Sequence, residues 1–202
     1  MKRVICFVDG FNLYHSIDEL KRPFFKWLNL KHLAQQFLKA DETLQEVYYF
    51  TAYANWNTDK RDRHKRYVRA LKTEGVQVVL GTFKRKYLKC RRCQQRFRSF
   101  EEKRTDVNIA LHLYALAAGD TYDTALIISG DGDLYPAVEM IKKDYPNKRV
   151  GIVFPMNRHR GDLNQLADFD FAIQENHLRA ARLPDAIVLK DGTTLTCPAE
   201  WK

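Results

Sequence analysis

Four aspartates stand where a carboxylate can leave a regular element and meet a metal ion. Asp9 closes the apolar run Val4-Ile5-Cys6-Phe7-Val8, and Asp131 and Asp133 lie in Gly130-Asp131-Gly132-Asp133, directly after the apolar stretch 124–129. Asp106 falls one turn into a helical pattern that opens at Lys103, on the stripe shared with Ile109, Ala110 and Leu113. A carboxylate beside buried apolar groups is costly unless it is neutralised, capped or bound to a cation. Its alternative role at Asp106, favouring the dipole of a helix N-terminus, is worth about 0.3–1 kcal/mol. Oxygen-only ligands from three separated segments suit a hard divalent ion, Mg²⁺ or Mn²⁺. Gly10 permits a tight turn that brings Asn12 back to the edge where Asp9 ends. Gly130 and Gly132 are expected to supply unusual turn geometry that aims both neighbouring acids inward.

The elements that must position these side chains follow from hydrophobic period. Residues 3–8 read as a buried strand ending at Asp9-Gly10, followed by helix over about 12–20. A second helix is expected over roughly 28–39, where Leu30, Leu33, Ala34, Phe37 and Leu38 recur at helical spacing, then a strand over 46–53. The basic stretch 58–74 can form a helix that stops at Gly75, and 76–80 is a β-branched run. From Phe83 to Glu102 no apolar period persists, so an inserted functional loop of roughly twenty residues is expected. Helix over 103–118, strand over 124–129, helix over 134–143, strand over 149–154, a short helix near 162–167 and a strand over 169–173 complete an alternating pattern. The tail 186–196 reads as a hairpin turning at Asp191-Gly192. Alternation of this kind predicts an α/β fold with a mostly parallel central sheet, helices on both faces and ligand sites beyond the carboxyl ends of the strands.

Charge points to a polyanionic partner. The 202 residues carry 34 Lys and Arg against 25 Asp and Glu, a formal net charge of +9, which favours phosphate neutralisation and counterion release. One cluster holds Lys60, Arg61, Arg63, Lys65, Arg66 and Arg69. A second, 84–104, carries ten Lys or Arg, among them Lys84, Arg85, Lys86, Arg91 and Arg92, interleaved with Tyr87, Phe97 and Phe100. Cations alternating with aromatics suit a surface that grips a strand by charge and base stacking. The plainer description is a solvated helix face and a basic loop. Arg158, His159 and Arg160 follow the strand ending at Phe154 and are expected at the same edge as the acids.

Cys90 and Cys93 form a CxxC, half of a zinc site. A closed Zn²⁺ site needs four ligands, to which His64, His112, Cys197 or a second subunit could contribute; a pair of reduced thiols is the simpler reading. A homodimer stays open on the same ground. The other two cysteines do not make a disulfide framework. No run approaches the roughly 18–20 apolar residues of a spanning helix, and the first apolar run is too short for a signal-peptide core. A cytoplasmic protein without a membrane partner is expected. A phosphotransferase that uses Asp9 as nucleophile would want an acid two residues later, where Phe11 stands.

Three segments, FVDGFNLYHS, EEKRTDVNIAL and SGDGDLYPAV, occur in an order that resembles the NYN-domain proteins, a branch of the PIN-like nucleases, over about Val4 to Asp168. The resemblance implies a Rossmann-like PIN fold in which Asp9, Asp106, Asp131 and Asp133 hold Mg²⁺ or Mn²⁺, with Asn12 and Ser129 supporting them. It implies RNA, single-stranded or structured, as substrate, and hydrolysis by metal-activated water that leaves a 5′-phosphate and a 3′-hydroxyl. Lys103 would meet a phosphate or tune the acids. The expected organisation is a nuclease domain over 1–175 with a basic CxxC insertion at about 83–102, then a hairpin extension over 184–202. Some PIN-like domains bind RNA without cutting it, so a non-catalytic RNA-binding module is the alternative.

Overall fold

The computed structural model describes residues 1–158 and 161–202, so Arg160 and its neighbour His159 lie outside the described residues. Strand β1 (Lys2–Asp9) leads directly into helix α1 (Gly10–Glu19), and a 3₁₀ turn (Pro23–Lys26) then precedes α2 (Leu30–Gln35). Strand β2 (Glu42–Thr51), helix α3 (Thr58–Thr73) and strand β3 (Gln77–Leu80) follow. Two further strands, β4 (Thr82–Lys89) and β5 (Arg96–Lys103), separate β3 from helix α4 (Thr105–Ala118). The alternation then resumes with β6 (Thr124–Ile128), α5 (Tyr135–Asp144), β7 (Arg149–Phe154), α6 (Leu163–Leu166), β8 (Phe169–Ala172) and α7 (Glu175–Ala180). A small antiparallel pair, β9 (Ala186–Val188) and β10 (Thr194–Thr196), closes the chain with a last 3₁₀ turn (Ala199–Trp201).

Six strands form one parallel sheet in the order β3-β2-β1-β6-β7-β8. The chain winds outward from β1 through β2 to β3, then returns to the other side of β1 and winds outward again. The reversal of direction therefore falls between β1 and β6, and there the connections diverge and leave a crevice beyond the carboxyl ends of the two strands. Asp9 ends one strand and Gly130-Asp131 follows the other.

Alternation along β1 sends its side chains into two cores. Val4, Cys6 and Val8 face α1, α2 and α3 with Leu13, Leu33 and Leu71, whereas Ile5 and Phe7 face α4 and α5 with Ile109, Leu113 and Ile141. Burial on both faces explains why these strands read as unbroken apolar runs. Leu195, Cys197 and Trp201 of the tail pack into the first core, and the Trp27 indole N–H donates to the Pro184 carbonyl at 2.8 Å.

Several expected boundaries differ. The segment 83–102 is a two-stranded antiparallel ribbon instead of a loop, with Phe83 opposite Glu102 and Lys89 opposite Arg96. Its alternation is masked because cations occupy both faces of strands that lie largely in solvent. The second helix spans only Leu30–Gln35, because the chain tightens into turn bonds at Phe37 and Leu38. That tightening lets Phe37 pack on Phe171 at 5.6 Å and His177 at 5.0 Å. Helix α4 starts at Thr105, not Lys103: Lys103 ends β5, and Arg104 turns the chain with φ of 81°. Neither Gly130 nor Gly132 has a positive φ, so the expected special turn geometry is not used there.

Candidate metal centre

Asp9 is 3% exposed and caps α1: its Oδ1 accepts the N–H groups of Phe11 at 3.1 Å and Asn12 at 3.0 Å. Its Oδ2 accepts the Ser129 hydroxyl at 2.9 Å, and Ser129 Oγ in turn accepts the Asp131 N–H at 3.1 Å. Asn12 Oδ1 takes the Gly130 N–H at 3.0 Å. Asn12 and Ser129 thus stitch the turn after β1 to the turn after β6, which fixes the spacing of Asp9 and Asp131. Gly10 is required by close approach, not by its φ: an added Cβ would lie 2.6 Å from the Phe50 carbonyl and 2.6 Å from the Tyr49 ring.

Asp106, in the first turn of α4, completes the group. One carboxylate oxygen each from Asp9, Asp106 and Asp131 lies within 4.8 Å of the others. Among the described residues no Lys or Arg makes an ion pair with any of the three. Burial pushes the Asp9 carboxyl up against the lowering effect of Asn12 N–H and the Ser129 hydroxyl, with the charge of Asp131 adding to the rise. Burial raises Asp106 to about 6, helped by the charges of Asp9, Asp131, Glu102 and Asp133. Three acids held together with no ion pair to them among the described residues, with burial raising the carboxyls of two, fit a bound divalent cation by donor chemistry and by charge. Asp133 stands apart. Its N–H is taken by Asp131 Oδ1 at 3.0 Å, and its side chain, in the 3₁₀ turn Gly132–Leu134, is exposed and outside the converging three.

The chain matches the NYN domain family over residues 3–173. The chain belongs to the NYN family. That family is a branch of the PIN-like nucleases, and the six-stranded parallel sheet with flanking helices is consistent with the fold. The chain is 27% identical over 225 aligned positions, 92% of this chain and 71% of the relative, to 6-hydroxy-3-succinoylpyridine 3-monooxygenase of Pseudomonas putida (strain DSM 28022 / S16). A crystal structure of a protein of unknown function from Vibrio parahaemolyticus RIMD 2210633 superimposes with a TM-score of 0.58 at 22% identity, over 87% of this chain and 94% of that one. This second likeness speaks for the fold alone.

The remaining residues expected at the NYN site are dispersed. Lys103 lies on the opposite ribbon face from Glu102 and pairs with Glu101 at 3.0 Å, so its ammonium is committed away from the acids. Arg158 lines the acid cavity, where it pairs with Glu19 at 3.0 Å. On α3, Arg61 pairs with Asp62 at 2.9 Å and Arg63 with Glu200 at 2.7 Å, while Lys65 and Arg66 are exposed. Lys86 pairs with Glu101 at 3.1 Å, and Lys84, Arg91 and Arg92 are exposed. Ribbon register puts Phe83, Arg85, Tyr87 and Lys89 on one face with Arg96, Arg98, Phe100 and Glu102. That face runs from the acid cavity outward and alternates aromatic with cation.

Cys90 and Cys93 sit in the turn at the ribbon's outer end. No third His, Cys or carboxylate ligand joins them among the described residues. Glu102 is a cavity-lining residue that sequence reasoning missed. Its Oε1 accepts the Thr105 N–H at 3.1 Å and the Thr105 hydroxyl, capping α4 beside Asp106. The spacing Glu-x-x-Thr ahead of a helix was the available signal. No helix of the described residues is long and apolar enough to cross a membrane.

Proposed function

We propose that this chain is a ribonuclease that hydrolyses phosphodiester bonds with Mg²⁺ or Mn²⁺ held by Asp9, Asp106 and Asp131. The observation that carries the reading is the convergence of three carboxylates at the sheet's switch point, where the PIN-like family to which the chain belongs would cut RNA. When bound, the ion supplies a Lewis acid that eases deprotonation of water and screens charge growing on the phosphoryl oxygens. Asn12 and Ser129 hold the two acid-bearing turns in register, and Asp133 modulates the site by its charge from the rim. The aromatic and cationic ribbon face, with Arg158 beside the acids, would lead a single strand across the crevice.

The test is incubation of purified protein with RNA and with DNA, with and without Mn²⁺, beside Asp9→Asn and Asp131→Asn. Cleavage of RNA that vanishes on chelation and in either variant supports the reading, and Asp131→Asn should still bind RNA. Binding without cleavage under every metal condition would mark the chain as the RNA-binding module instead. A second reading comes from the monooxygenase relative, which is named for a hydroxypyridine substrate. It is favoured by an aromatic-lined cavity beside the acids. Turnover of a hydroxypyridine with no action on RNA would select it.

A further inference from the structure

A second cavity, of about 670 Å³, opens between α1, the carboxyl end of β2, α3 and the root of the ribbon. Its size falls within the roughly 300–1,000 Å³ of small-molecule sites. It adjoins the acid cavity, since Phe11, His15 and Glu102 line both. We propose that this cavity is a pocket for one planar heteroaromatic ring, and, on the ribonuclease reading, that the ring is the base of the nucleotide flanking the cleaved bond.

The walls are chosen for a ring. Trp56 stacks on Phe100 with centroids 3.8 Å apart and meets Phe83 edge-on at 4.5 Å, which builds a rigid aromatic side at the ribbon root. Tyr49 and Tyr67, edge to face at 6.0 Å, form the inner side. Rigid aromatic walls of this kind offer stacking area at low entropic cost and tolerate any base.

The polar groups are chosen for a neutral, hydrogen-bonding edge. His64 Nε2 lies 3.3 Å from the Tyr49 hydroxyl and 3.2 Å from Thr51 Oγ1, a cluster of three uncharged groups that can each donate or accept. Of the three Lys and Arg side chains that line the cavity, Lys26 is engaged by Asp18 and Arg63 by Glu200, while Lys60 is exposed. The charge of the first two is spent before a ligand arrives, and the buried Tyr49 and Thr51 hydroxyls offer a base edge neutral partners. The phosphate would lie toward the acids, across Phe11 and His15.

The experiment titrates wild type and Ala54→Trp by calorimetry with the four nucleoside 5′-monophosphates and, separately, with 6-hydroxynicotinate. Ala54 lines the cavity but lies outside the metal centre, so a larger side chain there fills the pocket. Wild type is expected to bind at least one ring, and Ala54→Trp to bind it about tenfold or more weakly. Ala54→Leu replaces it if circular dichroism shows Ala54→Trp unfolded. His64→Phe keeps the ring volume but removes the polar edge, and is expected to change the order of preference among rings. Equal affinity in folded Ala54 variants, or no ring bound by wild type, overturns the proposal. Nucleotides bound in preference to the hydroxypyridine give the pocket to a strand. The reverse preference keeps the ring pocket while removing the ribonuclease reading, so the two can fail separately.

Discussion

Asp106→Asn should make the metal-free protein more stable at neutral pH and the metal-loaded protein less so. A carboxyl held at about 6 instead of its ordinary 3.8 corresponds to at most about 3 kcal/mol. Asp106 is only half-buried, and solvent screening reduces this to about 1 kcal/mol. Burial is the larger cause and the neighbouring charges add to it: unit charges within 4.8 Å of one another repel by about 1–3 kcal/mol at effective dielectrics between those of water and a protein surface. Since the folded-state pKa lies above the unfolded one, the favourable share of Asp106 is complete below about pH 4. It is lost as pH rises through about 6. At pH 7.5 the folded chain bears both the desolvation of the Asp106 carboxylate and its repulsion by the neighbouring acids, which Asn removes. In chelator at pH 7.5 the variant should melt about 2–4 °C above wild type, as about 1 kcal/mol implies for a chain of this length, and the gain should vanish near pH 4. With saturating Mn²⁺ the order should invert, because a ligand stabilises the native state it binds by an amount that grows with the logarithm of its affinity. Scanning calorimetry at both pH values, with chelator and with Mn²⁺, measures all four terms. A variant less stable than wild type in chelator at pH 7.5 would refute the reasoning, as would a gain independent of pH.

Replacing Arg85 and Arg98 by Ala, on the aromatic ribbon face, should lower the slope of log affinity for single-stranded RNA against log salt by about 0.7 per arginine; an unchanged slope removes this face from the strand's path. Gly10→Ala should cost about 1–3 kcal/mol by overpacking, measured by denaturant titration, since its Cβ would sit 2.6 Å from the Phe50 carbonyl. Arg104→Gly should gain about 0.5–1 kcal/mol in the same assay by relieving the left-handed backbone. Iodoacetamide at neutral pH should label Cys90 quickly, because the N–H groups of Cys93 and Arg92 hold its thiol below the usual range. Cys6, whose thiol burial pushes up, should stay unlabelled until the chain unfolds; mass spectrometry distinguishes the two.

The central strands were legible because burial on both faces leaves a continuous apolar signal, as along β1 and β6. The converging acids were legible for a related reason: Asp9 and Asp131 follow neighbouring parallel strands, and α4 carries Asp106 over the same end of the sheet. Spacing alone does not show which way a side chain points within a turn, and Asp133, two residues beyond Asp131, is turned to solvent by the 3₁₀ turn Gly132–Leu134. The ribbon was hidden because neither of its faces is apolar along its length. The ring-lined cavity left no local trace, since Tyr49, His64, Phe83 and Trp201 come from four distant segments. The helix boundary at Thr105 was obscured by Arg104, whose left-handed backbone marks the junction without a glycine to announce it.

That junction fixes the root of the ribbon to the end of the sheet that carries the acids. Glu102 binds the first turn of α4, and Gly81, on the other ribbon root, sits so close that a Cβ there would lie 2.8 Å from Thr105 Oγ1. Eight residues of strand extend about 25 Å, so the outer turn that holds Cys90 and Cys93 stands well away from Asp106. A polymer that touches both the acids and the outer turn must therefore be long enough to follow the whole ribbon, and oligomers of two or three units would meet its root alone.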